Sequence, residues 1–268
     1  MADGLFISQL RADRGGVRVL TDVTLHAPRG EVTALLGLNG SGKTTLLSAA
    51  LGLIPATCAR CEVDAQPLRS ASPRRRAQLA AYIPQRIRVD DGLTALEAVL
   101  MGANARTPLL RGYGPAERER ALSCLERLGA AALADRPMGT LSEGQRRLAV
   151  LARALLQNPR ALLLDEPDSA LDLPRRWEVL ETVLALAREG RAALVSLHDA
   201  QLALNRCDRA LILQDGRIAR ALDLHAAGRE EIEDAMRALY GDVCLTGTPG
   251  KWGLLPGGGA LHPKAHPV

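Results

Sequence analysis

The run Gly37-Leu38-Asn39-Gly40-Ser41-Gly42-Lys43-Thr44-Thr45 contains the spacing G-x-x-x-x-G-K-[ST], the pattern of a loop that cradles phosphate. Glycines at these places let successive backbone N–H groups turn inward, and the start of the following helix adds positive potential. Lys43 supplies a full charge for β- and γ-phosphates, and the Thr44 hydroxyl suits Mg²⁺. The context agrees. Val32 to Leu36 is a continuous apolar, partly β-branched run expected as a buried strand, and a helix is expected over 43–52.

A second group of residues has complementary chemistry. Ala161-Leu162-Leu163-Leu164 is an apolar strand that delivers Asp165 to its C-terminal end, where open α/β sheets bind ligands. Asp165 is a candidate support for Mg²⁺, and the adjacent Glu166 a candidate general base for an attacking water. His198 ends the next strand, at the same sheet edge, where its imidazole could contact a γ-phosphate or orient the water. Gln85 follows Tyr82-Ile83-Pro84, at the join between a strand and a helical segment. Its amide is placed to sense metal or water there.

Thr140-Leu141-Ser142-Glu143-Gly144-Gln145 contains no nucleophile, metal cluster or glycine-rich cradle. Ser142 is a good N-cap, and Gln145 completes a capping box ahead of an apolar-faced helix. Gly144 removes a side chain where something must approach the backbone. The segment reads as a second anion site built from a hydroxyl, N–H groups and a helix dipole. A single nucleotide in a single chain has no need of two such sites. Two chains arranged head to tail do, each phosphate loop facing the other's Ser142.

These residues must be held by alternating strands and helices, which implies a sheet with a parallel core. Residues 5–36 read as short strands turning at Arg14-Gly15-Gly16 and Pro28-Arg29-Gly30. Residues 93–138 carry helical spacing, with a Gly/Pro-containing loop from Arg106 to Pro115. A helix is expected from Pro174, as its first residue, to Glu189, a strand over 192–197, and a hairpin at Asp215-Gly216. The tail from Gly247 reads as loosely ordered, with His262 and His266 solvated. Hydrophobic residues make up 47% of the 268, enough for a sizeable core, but aromatics only 2%. The net charge of +4 suits a phosphate ligand or an anionic membrane surface, and equally a plain solvated arginine-rich surface, while the scarcity of stacking platforms argues against nucleic acid. Five scattered cysteines fit a reducing compartment, and Cys58-Ala59-Arg60-Cys61 reads as structural or incidental, because it lacks a second pair and a thioredoxin-like context. Asp3, Arg11 and Asp13 interrupt any secretory h-region, and no run approaches the roughly 18 apolar residues of a membrane span.

Leu141-Ser142-Glu143-Gly144-Gln145 resembles the signature motif of ABC ATPases. Together with the phosphate loop, Gln85, Asp165-Glu166, Ser169-Ala170-Leu171-Asp172 and His198 in that order, it extends the resemblance over residues 5 to about 222. The resemblance implies an α/β P-loop NTPase fold: a mixed sheet core, an N-terminal antiparallel β part and a helical subdomain inserted at about 93–157. These lie in one domain over 1–246, followed by the Gly/Pro-rich tail 247–268. It implies ATP and Mg²⁺ as cofactors and a homodimer sandwiching ATP, with Ser142, Gly144 and Gln145 on the partner's nucleotide and Asp172 at the interface. It further implies transmembrane permease partners, an indirect link to a substrate-binding protein, and residence at the cytoplasmic face of a membrane. Thr94-Ala95-Leu96-Glu97 onward and Leu239-Tyr240-Gly241-Asp242-Val243 look most like importers of iron–siderophore, haem or cobalamin. The alternatives are another cargo, such as a metal ion, and a non-transport switch, which typically carries long coiled-coil inserts or two fused cassettes. Three positions depart from the family pattern. Arg14 stands where an aromatic residue usually stacks on adenine, which its guanidinium plane could also do. Glu143 replaces a commoner glycine and Asp168 the usual threonine, both adding negative charge near phosphate.

Overall fold

The computed structural model describes residues 3–106, 112–169 and 173–257. Strands β1 (Gly4–Arg14) and β2 (Val17–Pro28) pair antiparallel across Gly15-Gly16. Both turn glycines have positive φ, 60° and 80°, as a two-residue hairpin turn matched to strand twist requires. The strands were expected to be short. They run 11 and 12 residues because register shifts between Ile7 and Asp13 absorb the irregular apolar spacing without ending the ladder.

Strand β3 (Val32–Leu36) leads through the phosphate loop into helix α1 (Lys43–Ala50). Then come β4 (Arg60–Val63), β5 (Gln66–Pro67), α2 (Pro73–Leu79) and β6 (Ala80–Ile83). The helical segment contains α3 (Ala95–Leu100), α4 (Pro115–Arg127) and α5 (Glu143–Gln157), joined by short 3₁₀ turns. Of the loop expected over 106–115, residues 107–111 lie outside the described residues. The return to the sheet runs through β7 (Ala161–Asp165), α6 (Leu173–Arg188), β8 (Ala192–Ser196), α7 (Ala200–Arg206), β9 (Arg209–Gln214) and β10 (Arg217–Asp223). Pro174, expected as the first residue of α6, is its second. Helix α8 (Arg229–Tyr240) and a hairpin of β11 (Val243–Thr248) and β12 (Lys251–Pro256) follow.

Among the described residues, ten strands form one mixed sheet in the order β5-β4-β1-β2-β10-β9-β3-β8-β7-β6. Its centre is parallel: β3 pairs with β8 and β9, and β7 with β8 and β6. All residues of β3, β7 and β8 are buried, as expected of strands covered on both faces. Their alternation feeds two layers. Val32, Ala34, Leu162, Leu164, Ala193 and Val195 pack against α5 to α8, whereas Leu35, Leu163 and Leu194 pack with α1 and the N-terminal strands. Each such leucine contributes roughly 1.5–3 kcal/mol of burial.

Helix α5 joins two cores. Val150, Leu151, Ala154 and Leu155 belong to the sheet layer, while Ala149 and Ala152 belong to the cluster shared with α3 and α4. Residues 247–256, expected as loose tail, instead form most of the β11–β12 hairpin. Trp252 is buried, and its backbone exchanges hydrogen bonds with the Asn205 side chain of α7 at 2.6 and 2.8 Å. Residues 258–268, with His262 and His266, lie outside the described residues.

Candidate nucleotide site

The buried strand β3 stops at Leu36, and the glycines then permit turns that other residues resist. Gly40 and Gly42 have φ of 80° and 103°. A Cβ on Gly42 would come within 2.8 Å of Val19 Cγ1, and one on Gly37 within 2.7 Å of the Leu213 carbonyl oxygen. Gly42 is the N-cap of α1, no side chain caps that helix, and its first turn has no acidic residue. The unopposed N–H groups and dipole therefore face the loop. Lys43 is buried, and its Nζ donates to the carbonyls of Gly37 at 2.8 Å and Leu38 at 3.3 Å. Burial pulls its pKa down, opposed by the charges of Glu166 and Asp165. The Ser41 hydroxyl is buried without a hydrogen-bond partner among the described residues. A cavity of about 260 Å³ is lined by Arg14, Val19, Asn39 to Thr45 and Glu166. An anion fits this cradle, with its orphaned hydroxyl, the uncapped start of α1 and a buried ammonium.

Strand β7 delivers its carboxylates to the same edge. Asp165 is buried, its Oδ1 accepting from Ser196 Oγ at 2.9 Å and its Oδ2 from the Tyr82 hydroxyl at 3.3 Å. Burial first, and then Asp165's charge, push the Tyr82 phenol up to about 12. Glu166 has φ of 48°, left-handed backbone that a side-chain-bearing residue keeps only when its surroundings enforce it. Those surroundings are visible. Its N–H donates to Ser196 Oγ at 2.8 Å, and its carbonyl accepts from Arg147 Nη1 at 2.8 Å. Its Oε2 lies 2.7 Å from His198 Nε2 and also accepts from Gln85 Nε2. Parallel pairing of β7 with β8 and β6 thus brings Glu166, His198 and Gln85 together at one sheet edge, as expected from strand ends.

Ser142 is the exposed N-cap of α5. Its Oγ accepts from Gln145 N–H at 3.3 Å, while Gln145 Oε1 accepts from Ser142 N–H at 3.1 Å. Gly144 is buried. None of Ser142, Gly144 and Gln145 lines the phosphate-loop cavity. Arg14 does, at the β1–β2 turn. Asp172 lies outside the described residues. The carboxylate of Glu143 is 3.6 Å from the guanidinium of Arg147, so its charge has a buried counterpart. Asp168 is buried, and burial pushes its carboxyl up. The free thiol of Cys61 is buried, pushed up to about 12, and donates to the Ala50 carbonyl at 3.3 Å, which fits a structural role.

Three residues of this site were not among the expected ones. Ser196, a lone hydroxyl in the apolar strand before His198, bridges Asp165 and the Glu166 backbone. Its polarity inside a fully buried run was the available signal. Tyr82 stands beside the expected Gln85. Arg147 was detectable as the i+4 partner of Glu143.

Among the described residues, no three or more His, Cys, Asp or Glu gather into a metal-binding group. A magnesium ion needs none. It takes one or two protein oxygens plus phosphates and water, and the hydroxyl of Thr44 and carboxylate of Asp165 suit that demand. No helix among the described residues is long and apolar enough to cross a membrane.

Comparison with known proteins gives this geometry its family. The ABC transporter profile matches residues 20–169. The hemin import ATP-binding protein HmuV of Bordetella avium is 38% identical over 217 residues, covering 78% of this chain and 82% of that protein. The phosphonates import ATP-binding protein PhnC 1 of Natronomonas pharaonis is 38% identical over 243 residues, covering 89% and 100%. Among solved structures, the dimeric bacterial ABC transporter cassette MJ0796 superposes with a TM-score of 0.72 at 26% identity, covering 82% of this chain and 98% of its own. The chain therefore belongs to the ABC transporter family, as an ATP-binding subunit with the ATPase fold and activity of that family.

Proposed function

We propose that this chain drives import by closing on ATP as a homodimer and reopening after hydrolysis. Lys43, Thr44 and the loop Gly37 to Thr45 hold the phosphates. Thr44, Asp165 and Gln85 hold Mg²⁺, whose charge offsets that of the β- and γ-phosphate oxygens. Glu166 accepts a proton from the attacking water as it bonds to the γ-phosphorus, and the bond to the β-phosphate oxygen breaks to leave ADP and phosphate. His198 and Gln85 aim the carboxylate. Arg14 stacks on the base. Ser142, Gly144 and Gln145 of the partner chain close the site. The observation that carries the reading is the meeting of Gln85 and His198 at one oxygen of Glu166, beside the phosphate cavity.

The dimer explains why the signature residues stay outside that cavity, and a relative of known structure is dimeric. Transmembrane permease subunits, with a substrate-binding protein acting through them, would turn closure into cargo movement at the cytoplasmic face of the membrane. A haem, iron–siderophore or cobalamin cargo is favoured by the relative named for hemin import. Phosphonate is the second cargo class, because a relative named for it matches at equal identity over a longer stretch.

Glu166→Gln tests the core of this. Turnover should fall by at least about 10²-fold, the usual contribution of a positioned base, and the variant with ATP and Mg²⁺ should elute as a dimer. Turnover like the parent's would remove Glu166 from its role, and a strictly monomeric, ATP-saturated variant would remove the sandwich.

A further inference from the structure

Helix α5 begins at the signature residues and ends between two cores, yet one of its charged side chains points inward. Arg147 is only 1% exposed, among the most buried large side chains of the molecule. Its guanidinium donates from Nη1 to the carbonyl of Glu166 at 2.8 Å and from Nη2 to the carbonyl of Gln85 at 3.3 Å. The carboxylate of Glu143 is 3.6 Å away and itself 42% exposed, the buried Asp168 adds a weaker pull of opposite charge, and Nε has no partner among the described residues. A buried cation this sparsely paired is costly. Two backbone carbonyls from two different strand ends are what it gains.

Those two contacts close a ring. Arg147 holds the Gln85 carbonyl, the Gln85 amide donates to the Glu166 carboxylate, and the Glu166 carbonyl returns to Arg147. With Ser196 holding the Glu166 N–H, both peptide groups flanking the left-handed Glu166 backbone are fixed, one of them by α5. Any shift of α5 is transmitted to that peptide and to the Gln85 turn through a short, rigid fork. We propose that Arg147 is a positioning residue that ties α5 to the backbone of Glu166 and Gln85, so that the seating of the signature end on a partner's nucleotide sets the aim of the Glu166 carboxylate. This rests on the role proposed for Glu166 above. Glu143, four residues earlier on the same helix, and the buried Asp168 both set opposite charge near the guanidinium.

The test uses the full chain in six forms: parent and Glu166→Gln, and each of these carrying Arg147→Met or Arg147→Lys. Arg147→Met should lower kcat by about 10-fold to 100-fold, the scale of a misplaced reacting group. KM for ATP should stay within threefold, because Arg147 does not line the phosphate cavity. Arg147→Lys keeps the buried charge but loses the fork, and should fall between Met and parent. In the Glu166→Gln background, single-turnover hydrolysis measured with labelled ATP should change by less than twofold, because no carboxylate remains to be aimed. An unchanged kcat for Arg147→Met overturns the proposal, as does an equal fold loss in both backgrounds, the mark of a merely structural role. Should Arg147→Met fail to fold, Arg147→Lys carries the same comparison. Glu166→Gln alone reports on the base, so loss of that assignment is separable from loss of this one.

Discussion

Two helix N-termini carry the anion chemistry proposed for this chain, and they are finished differently. Helix α1 starts at Gly42 with no side-chain cap and no acidic residue in its first turn, and a buried Lys43 stands at its head. Helix α5 starts at Ser142 with both bonds of a capping box made and Glu143 in its first turn. A helix start whose N–H groups are unmet takes its partner from outside. One that is capped by its own residues has less to offer and must exchange contacts to bind. The first is therefore built to hold phosphate within a single chain. The second needs no ligand to satisfy its first turn, and in the proposed dimer it would contribute when another copy brings a phosphate to it.

Lys43→Ala is the hardest blow to that contrast. Removing a charged donor from the cradle should weaken a fluorescent ATP analogue by about 10-fold to 100-fold, in line with roughly 1.5–3 kcal/mol for a charge-assisted hydrogen bond. Equilibrium titration at protein concentrations that keep the chain monomeric measures it. Equal binding by parent and variant would mean that α1 is not the stronger site.

Ser142→Arg strikes the other terminus. The capped helix lies away from the cradle of its own chain, so monomer titration should give an affinity within twofold of parent. Hydrolysis should nevertheless drop by about tenfold or more, because a bulky cation replaces a hydroxyl where a partner's phosphate must approach. Unaltered hydrolysis would leave α5 as a capped helix and no more.

The same contrast separates what the sequence disclosed from what it concealed. The phosphate loop, the strand ends at Asp165 and His198 and the capping box at Ser142 rest on neighbours within a few residues, and their spacing exposes them. Arg147 meets Glu166 and Gln85 across 19 and 62 positions, and Ser196 meets Asp165 across 31. Such contacts depend on how strands are ordered in the sheet, which local spacing does not encode. The β11–β12 hairpin was hidden for a different reason. Its Pro249 and Gly250 look like chain-breakers, although they occupy the turn between paired Thr248 and Lys251. What orders the hairpin is Trp252 against α7, again a contact of long range.

The finest test of the two-terminus contrast leaves every cap in place. Glu143→Gln removes only the negative charge from the first turn of α5, making that end resemble α1. A carboxylate near a helix N-terminus interacts with the dipole by about 0.3–1 kcal/mol. Removing it should therefore sharpen the site for a partner's phosphate and lower KM for ATP by about two- to fivefold. The fork of Arg147 keeps its two carbonyls, so kcat should stay within about twofold. Because Glu143 is 42% exposed, the effect should fade in half-molar salt, where charges more than a few ångströms apart are screened. Steady-state kinetics at low and high ionic strength decide it. A higher KM at low salt would mean that Glu143 supports nucleotide binding, and that the two termini differ less in charge than in geometry.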